Sequence, residues 1–361
     1  MEAVDKILCD INKSIQELEN LDRSGMLLNK VELSSAYTIR GLFYFRINMF
    51  EKCIIDVGKS IEILERMDCE GKQFDKNEYA KAHASRGMAY HAVGAHTQAL
   101  QDFSKSIEVW ECLQNSGEPI ERSFLFNMYV SRAGMFNYNQ EHMGDALSDY
   151  HKAIKMAEDQ TGTGESFNKD DLADIYMGIA QTYDQKEDYV EANKYYNKCI
   201  YIWKKMKNTG QILLCESNLA TAHMNRGANF SQTGDNNKAL ADYNECISIM
   251  ERLQNEGVAQ DIFKMFMVYE NRALIHKAEG NIKIAVDDKI KALSILKTIF
   301  NERSEVQEFY FTSLFQVLGS IADESDETFL NSILQEFLYS MHPETNEAKE
   351  IQRDIFDWLD E

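Results

Sequence analysis

Proline is almost missing from this chain, with two residues in 361, and glycine is sparse at 18. An all-β protein needs many turns built from these residues, so that class is excluded. No run approaches the roughly 20 consecutive apolar residues of a membrane span, and none is expected. The amino terminus, Met1-Glu2-Ala3-Val4-Asp5, lacks the basic-then-apolar pattern of a secretory signal. Basic residues fall short of acidic ones, 38 against 59, for a net charge of −21. That charge repels phosphate backbones and anionic lipid, so neither direct nucleic-acid nor membrane partners are expected. Seven cysteines make an odd, scattered set without CxxC. They fit a reducing cytoplasm rather than a zinc ribbon or a dithiol redox site.

Signatures of catalysis are missing too. The chain has no Walker loop, GxGxxG, HExxH or GxSxG, so no catalytic residue and no cofactor are expected. Gly162-Thr163-Gly164 sits in a link with no strand before it, which makes a phosphate cradle a poor reading. His96 and His142 occupy equivalent turns. Neighbouring helices lie about 8–10 Å apart, whereas zinc needs its ligand nitrogens about 2 Å away, so no shared metal is expected.

What is present is a repeat. Arg40-Gly41-Leu42-Phe43-Tyr44 recurs as Arg86-Gly87-Met88-Ala89-Tyr90 and as Arg226-Gly227-Ala228-Asn229-Phe230. A small-residue anchor runs through Cys53, Ala99, Ala146, Ala192, Ala239 and Ala285, at intervals of 46 or 47. Within a repeat the apolar spacing is three and four, as in Ala99, Phe103, Ile107 and Trp110. Turns such as Val93-Gly94-Ala95 interrupt it. Each repeat is therefore read as two helices and a turn. One such hairpin cannot bury its own apolar face, so neighbours must stack.

This pattern resembles the tetratricopeptide repeat (TPR) family. Gly87, Tyr90, Ala99, Phe103 and Ser106 fit its small and aromatic positions, as do Gly227, Phe230, Ala239, Tyr243 and Cys246. In the third repeat Asn137 holds the first aromatic's place. Repeats of 46–47 residues exceed the family's usual length of about 34. The expected fold is all-α, a right-handed superhelical solenoid of TPR-like helix-turn-helix repeats. Residues 1–30 are read as an amino-terminal capping half repeat and 31–300 as six extended repeats. Residues 301–361 are read as a degenerate repeat with closing helices. Cys199, Cys246, Trp110 and Trp203 are expected in the core, and His83 and His223 as packed or partly buried rings.

The resemblance places the first helix of each repeat on a partner-binding groove. Carried over to this sequence, the face comprises Leu42, Phe45, Arg46, Met88, His91, Met135, Tyr138, Asn139, Gln181, Asp184 and Gln185. Methionine and aromatic groups in the first three repeats suit an apolar ligand segment, with a polar portion beyond. A clamp for a terminal carboxylate is disfavoured, because Arg46 and Lys277 lie far apart on that face with Asp184 between them. The expected function is a non-catalytic interaction scaffold or regulator that binds a protein or peptide. Alternatives are a bacterial peptide-sensing regulator, the recognition part of a larger enzyme, and an acidic mimic of nucleic acid.

Overall fold

Helical periodicity dominates the local structure. The computed structural model describes residues 2–27, 29–137, 140–159, 169–207, 213–258 and 261–300, with the single position 353 beyond them. Those residues form thirteen α-helices and no strand. The tail 301–361, read above as a degenerate repeat with closing helices, lies outside them, as do links 160–168 and 208–212.

The chain divides into two compact units, Met1–Lys186 and Glu187–Glu361. The first contains α1 (Glu2–Arg23), α2 (Lys30–Arg46), α3 (Phe50–Cys69), α4 (Lys76–Ala92), α5 (His96–Asn115), α6 (Arg122–Phe136), α7 (Met143–Glu158) and α8 (Lys169–Gln185). The second contains α9 (Tyr189–Lys207), α10 (Leu213–Gln232), α11 (Asn236–Asn255), α12 (Ile262–Ala278) and α13 (Ile282–Phe300). The strongest packing pairs α2 with α3, α4 with α5, α6 with α7, α10 with α11 and α12 with α13. These are the hairpins expected from the 46-residue period. Helices of 17 and 20 residues, as in α4 and α5, absorb most of the extra length.

Helix ends follow from the sequence. Gly117 closes α5 in the left-handed region at φ 77°, where a side chain would be strained. Its N–H donates to the Gln114 carbonyl, and the Glu118 N–H donates to that of Leu113, closing the last turn. At the other end of a helix, Asp75 caps α4 by accepting from the Asn77 N–H at 2.8 Å.

The core sits between the helices of each pair. Ala99, Ala146 and Ala239 are fully buried, which lets the partner helix approach closely. Trp110 and Trp203 are fully buried at equivalent positions, and the Trp110 Nε1–H finds Asn77 Oδ1 at 3.1 Å. Cys199 and Cys246 pack as small buried groups, and burial pushes the Cys246 thiol up to about 12. A Cβ on Gly87 would stand 2.7 Å from the Phe103 ring, so glycine is required by contact rather than by conformation.

Candidate functional site

An ion pair recurs at one position of five repeats and orients each first helix. Arg40, Arg86, Arg132, Arg226 and Arg272 each grip an aspartate on their own second helix: Asp56, Asp102, Asp149, Asp242 and Asp288. The grip is bidentate, with both contacts at 2.8 Å for Arg86. Most of these arginines also reach back one repeat, to Asn12, Ser104, Asn197 or Asn244. One side chain thus joins three helices. In the second and fifth repeats His83 and His223 add a further contact, each placing Nδ1 at 2.7 Å from the same aspartate. Burial alone would raise the Asp102 carboxyl. The hydrogen bonds from Arg86 and His83 outweigh that, and the group lies below the ordinary carboxylate range. Asp242 behaves the same way with Arg226 and His223.

The arginines stand out in the sequence through the repeated Arg-Gly pair, and their aspartate partners do not. The signal was available: an aspartate follows each of these arginines by 16 residues, or by 17 in the third repeat. The fourth repeat carries Ile179 and Tyr195 at the two places, so both charges are missing together.

The clamp corrects the third repeat's register. Arg132 follows Arg86 by 46 residues, while Ala146 follows Ala99 by 47. The extra residue therefore falls after Arg132. Gly134, not Met135, takes the place of Met88. One residue is about 100° around a helix, and Met135 accordingly points inward, 8% exposed. The expectation that Met135 lines the binding face fails for this reason. Tyr138 and Asn139 lie outside the described residues.

Of the other expected residues, Leu42, Arg46, His91 and Gln185 are exposed. Phe45, Met88, Gln181 and Asp184 are half-buried. Phe45 packs edge-on against Phe50, with ring centroids 5.3 Å apart, so much of its surface serves the helix pair. First helices of neighbouring repeats touch directly, α2 with α4 and α6 with α8.

With the register set by the arginines, one row across the first unit reads Leu42, Met88, Gly134, Gln181. A second reads Ser35, Lys81, Asn127, Asp174. Between them lie Ile39, Ser85, Ser131 and Gly178. Ile39 is 57% exposed and Leu42 39%, so α2 offers the apolar end. Lys81 is engaged by Glu78 and Glu121. At the other end α8 carries Asp170, Asp171, Asp174 and Asp184 against a single Lys169.

The same register puts Phe136, not Asn137, where the other repeats carry their first aromatic, with Arg132 over its ring at 5.8 Å as Arg86 lies over Tyr90 at 5.9 Å, and leaves Asn137 a separate role. The residue is buried and donates from Nδ2 to the Tyr150 hydroxyl and to the Gly178 carbonyl, both at 3.3 Å. Its Oδ1 accepts from the Thr182 hydroxyl. A Cβ on Gly178 would come within 2.5 Å of Tyr150 Cζ. The amide therefore ties α8 to the preceding pair.

Among the described residues no group of three His, Cys, Asp or Glu could hold a metal ion. None of the described helices is long and apolar enough to cross a membrane.

The tetratricopeptide repeat model matches residues 173–202 and 220–250. No curated protein matches the chain. Several solved structures share its fold. One is a signal transduction ATPase with numerous domains from Pyrococcus horikoshii, which carries a tetratricopeptide repeat sensor. It is 14% identical, with a TM-score of 0.58 over 99% of this chain and 49% of that one. The chain thus spans about half the length of that ATPase. Another is BtubC from P. vanneervenii, also 14% identical, with a TM-score of 0.52 over 72% of this chain and 94% of its own. The C-terminal part of a TPR repeat-containing protein from Cytophaga hutchinsonii gives 14% identity and a TM-score of 0.50, covering 81% and 94%. These likenesses establish the fold: the chain is an array of tetratricopeptide-type helix pairs.

Proposed function

We propose that this array of tetratricopeptide repeats is a non-catalytic interaction scaffold in the cytoplasm, binding a partner protein or peptide on the first-helix face of residues 30–185. The observation that carries the reading is the exposed apolar pair Ile39 and Leu42, in register with Met88 on the neighbouring first helix. Exposed apolar groups cost free energy in water, and covering the exposed half of each in a partner regains about 1 kcal/mol.

The same face changes character toward α8, where aspartates replace apolar groups. A partner that presents apolar side chains to α2 and α4 and basic ones to α8 matches both ends. Four first helices at about 8–10 Å each set a separation of roughly 27 Å between α2 and α8. An extended segment of about eight residues spans that distance.

The Pyrococcus relative's repeats are described as a sensor. A sensing role, in which a bound peptide changes the array, is the second reading, favoured here by the partly apolar face. Affinity capture compares wild type with the Leu42→Glu/Met88→Glu variant. Leu42 is 39% exposed and Met88 half-buried, so circular dichroism and the thermal midpoint are measured alongside and capture is compared between folded proteins. The expected outcome is loss of specific partners from the variant. Retention of every partner by a folded variant would contradict the site.

A further inference from the structure

Two clefts of similar size, about 360 and 380 Å³, occur at equivalent places in neighbouring repeats. Each lies where the carboxyl ends of two successive second helices flank a first helix. The cleft at α3, α4 and α5 contains Lys76 and Lys105 but also Asp68, Glu108 and Glu118. Its counterpart at α5, α6 and α7 has Arg122 in place of Lys76 and Lys152 in place of Lys105. Glu108, however, is replaced by Lys155, and Asp68 by Gln114. With Glu111 and Asp159 included, the second cleft carries three cations against two carboxylates, where the first carries two against three.

Helix ends explain the cations that both clefts share. The last turn of a helix favours positive groups, and Arg122 serves it by donating from Nη2 to the Met156 and Asp159 carbonyls at 3.2 and 3.3 Å. They do not explain the exchange of Glu108 for Lys155, because the helix ends are the same in both. Lys152 is already matched by Glu111 at 2.7 Å, and Glu111 also accepts from the Tyr129 hydroxyl. Lys155 is exposed and has no carboxylate partner among the described residues. The Arg122 side chain is 14% exposed; its Nη2 lies 3.8 Å from the Asp159 carboxylate at the rim of the cleft, and its buried Nε–H has no acceptor. A buried donor left unmatched is unusual and calls for an acceptor.

We infer that the α5–α6–α7 cleft binds the phosphate group of a small phosphate monoester. Lys155 would supply the unmatched charge, Arg122 directional N–H donors, and Gln114 and Asn115 neutral ones. The volume lies at the lower end of the range for small-molecule sites. This site is separate from the first-helix face and stands or falls independently of it.

The test titrates glycerol 3-phosphate into the full chain by calorimetry, with glycerol as the uncharged control and a phosphoserine peptide as a parallel arm. Wild type is compared with Lys155→Glu, which installs the neighbouring repeat's residue at an exposed position. A second variant, Glu108→Lys/Lys155→Glu, moves the lysine to the neighbouring cleft. The expected result is phosphate-dependent binding that weakens by about tenfold or more in Lys155→Glu and is regained, at the other cleft, in the double variant. Preference for the peptide over the small ester would support the phosphate chemistry and identify a protein as its source. Equal binding by wild type and Lys155→Glu, or no binding by wild type to either phosphate, would overturn the inference. So would a neighbouring cleft that stays inert after receiving the lysine.

Discussion

Replacing Asp102 by asparagine removes the charge at the centre of the second repeat while keeping its shape. Asp102 is 4% exposed and accepts two contacts from Arg86 and one from His83. The substitution leaves the Arg86 guanidinium, 23% exposed, without its counter-ion. Breaking a buried pair from one side costs about 3–5 kcal/mol, and the remaining exposure of Arg86 places the expectation near 3 kcal/mol. With a urea slope of about 2 kcal/mol/M, the midpoint of the Met1–Lys186 unit falls by roughly 1.5 M. Fluorescence of Trp110, in a Trp203→Phe/Trp358→Phe background, reports this unit directly, because Trp110 is buried on α5, the helix that also carries Asp102.

The fourth repeat supplies the internal comparison, since it lacks both charges and carries Ile179 and Tyr195 instead. Arg86→Ile/Asp102→Tyr should accordingly be more stable than Asp102→Asn alone, because no uncompensated charge remains. The coupling between the two positions is expected at about 2 kcal/mol. A cost for Asp102→Asn within about 0.5 kcal/mol of zero would refute the clamp as an organiser of the repeat. So would strictly additive effects of the two substitutions.

Two further outcomes follow from the same geometry. Gly87→Ala forces a Cβ to 2.7 Å from Phe103 and should destabilise by about 1–3 kcal/mol. Gly134→Ala meets nothing closer than 3.9 Å and should gain up to about 1 kcal/mol of helix propensity; urea unfolding of the two variants, with equal effects as the contrary result, checks the corrected register. Asp102 and Asp242 have folded-state pKa values below the unfolded carboxylate. Their stabilisation is therefore full above about pH 4 and is lost as pH falls through the lowered values. Asp102→Asn should flatten that acid dependence, which denaturation midpoints between neutral pH and pH 3 would show.

The helical-pair fold was legible because close packing is written in residue size. Glycine and alanine recur where helices touch, and Phe103 or Tyr243 recurs beside them. The binding face was less legible. Its register was traced through the alanine anchors of the second helices, and in the third repeat those anchors run one residue ahead of the first helix. Met135 was placed outward by that slip, whereas the Arg132–Asp149 pair places it inward. Charged partners 16 residues apart carry no helical periodicity, so a search for apolar spacing passes over them. The charge exchange between the two clefts was hidden for a related reason: it becomes visible only when equivalent positions of neighbouring repeats are compared.

The most direct test of the scaffold reading places a photo-crosslinking amino acid at Leu42 or Gln181 on the first-helix face, or at Ile55 on α3. Ile55 is 59% exposed and apolar, so it is the fairest competitor for a partner. Irradiation in native lysate should give the same partner adduct from positions 42 and 181 and none from 55. Adducts from position 55 alone would move the interaction to the second helices and contradict the account.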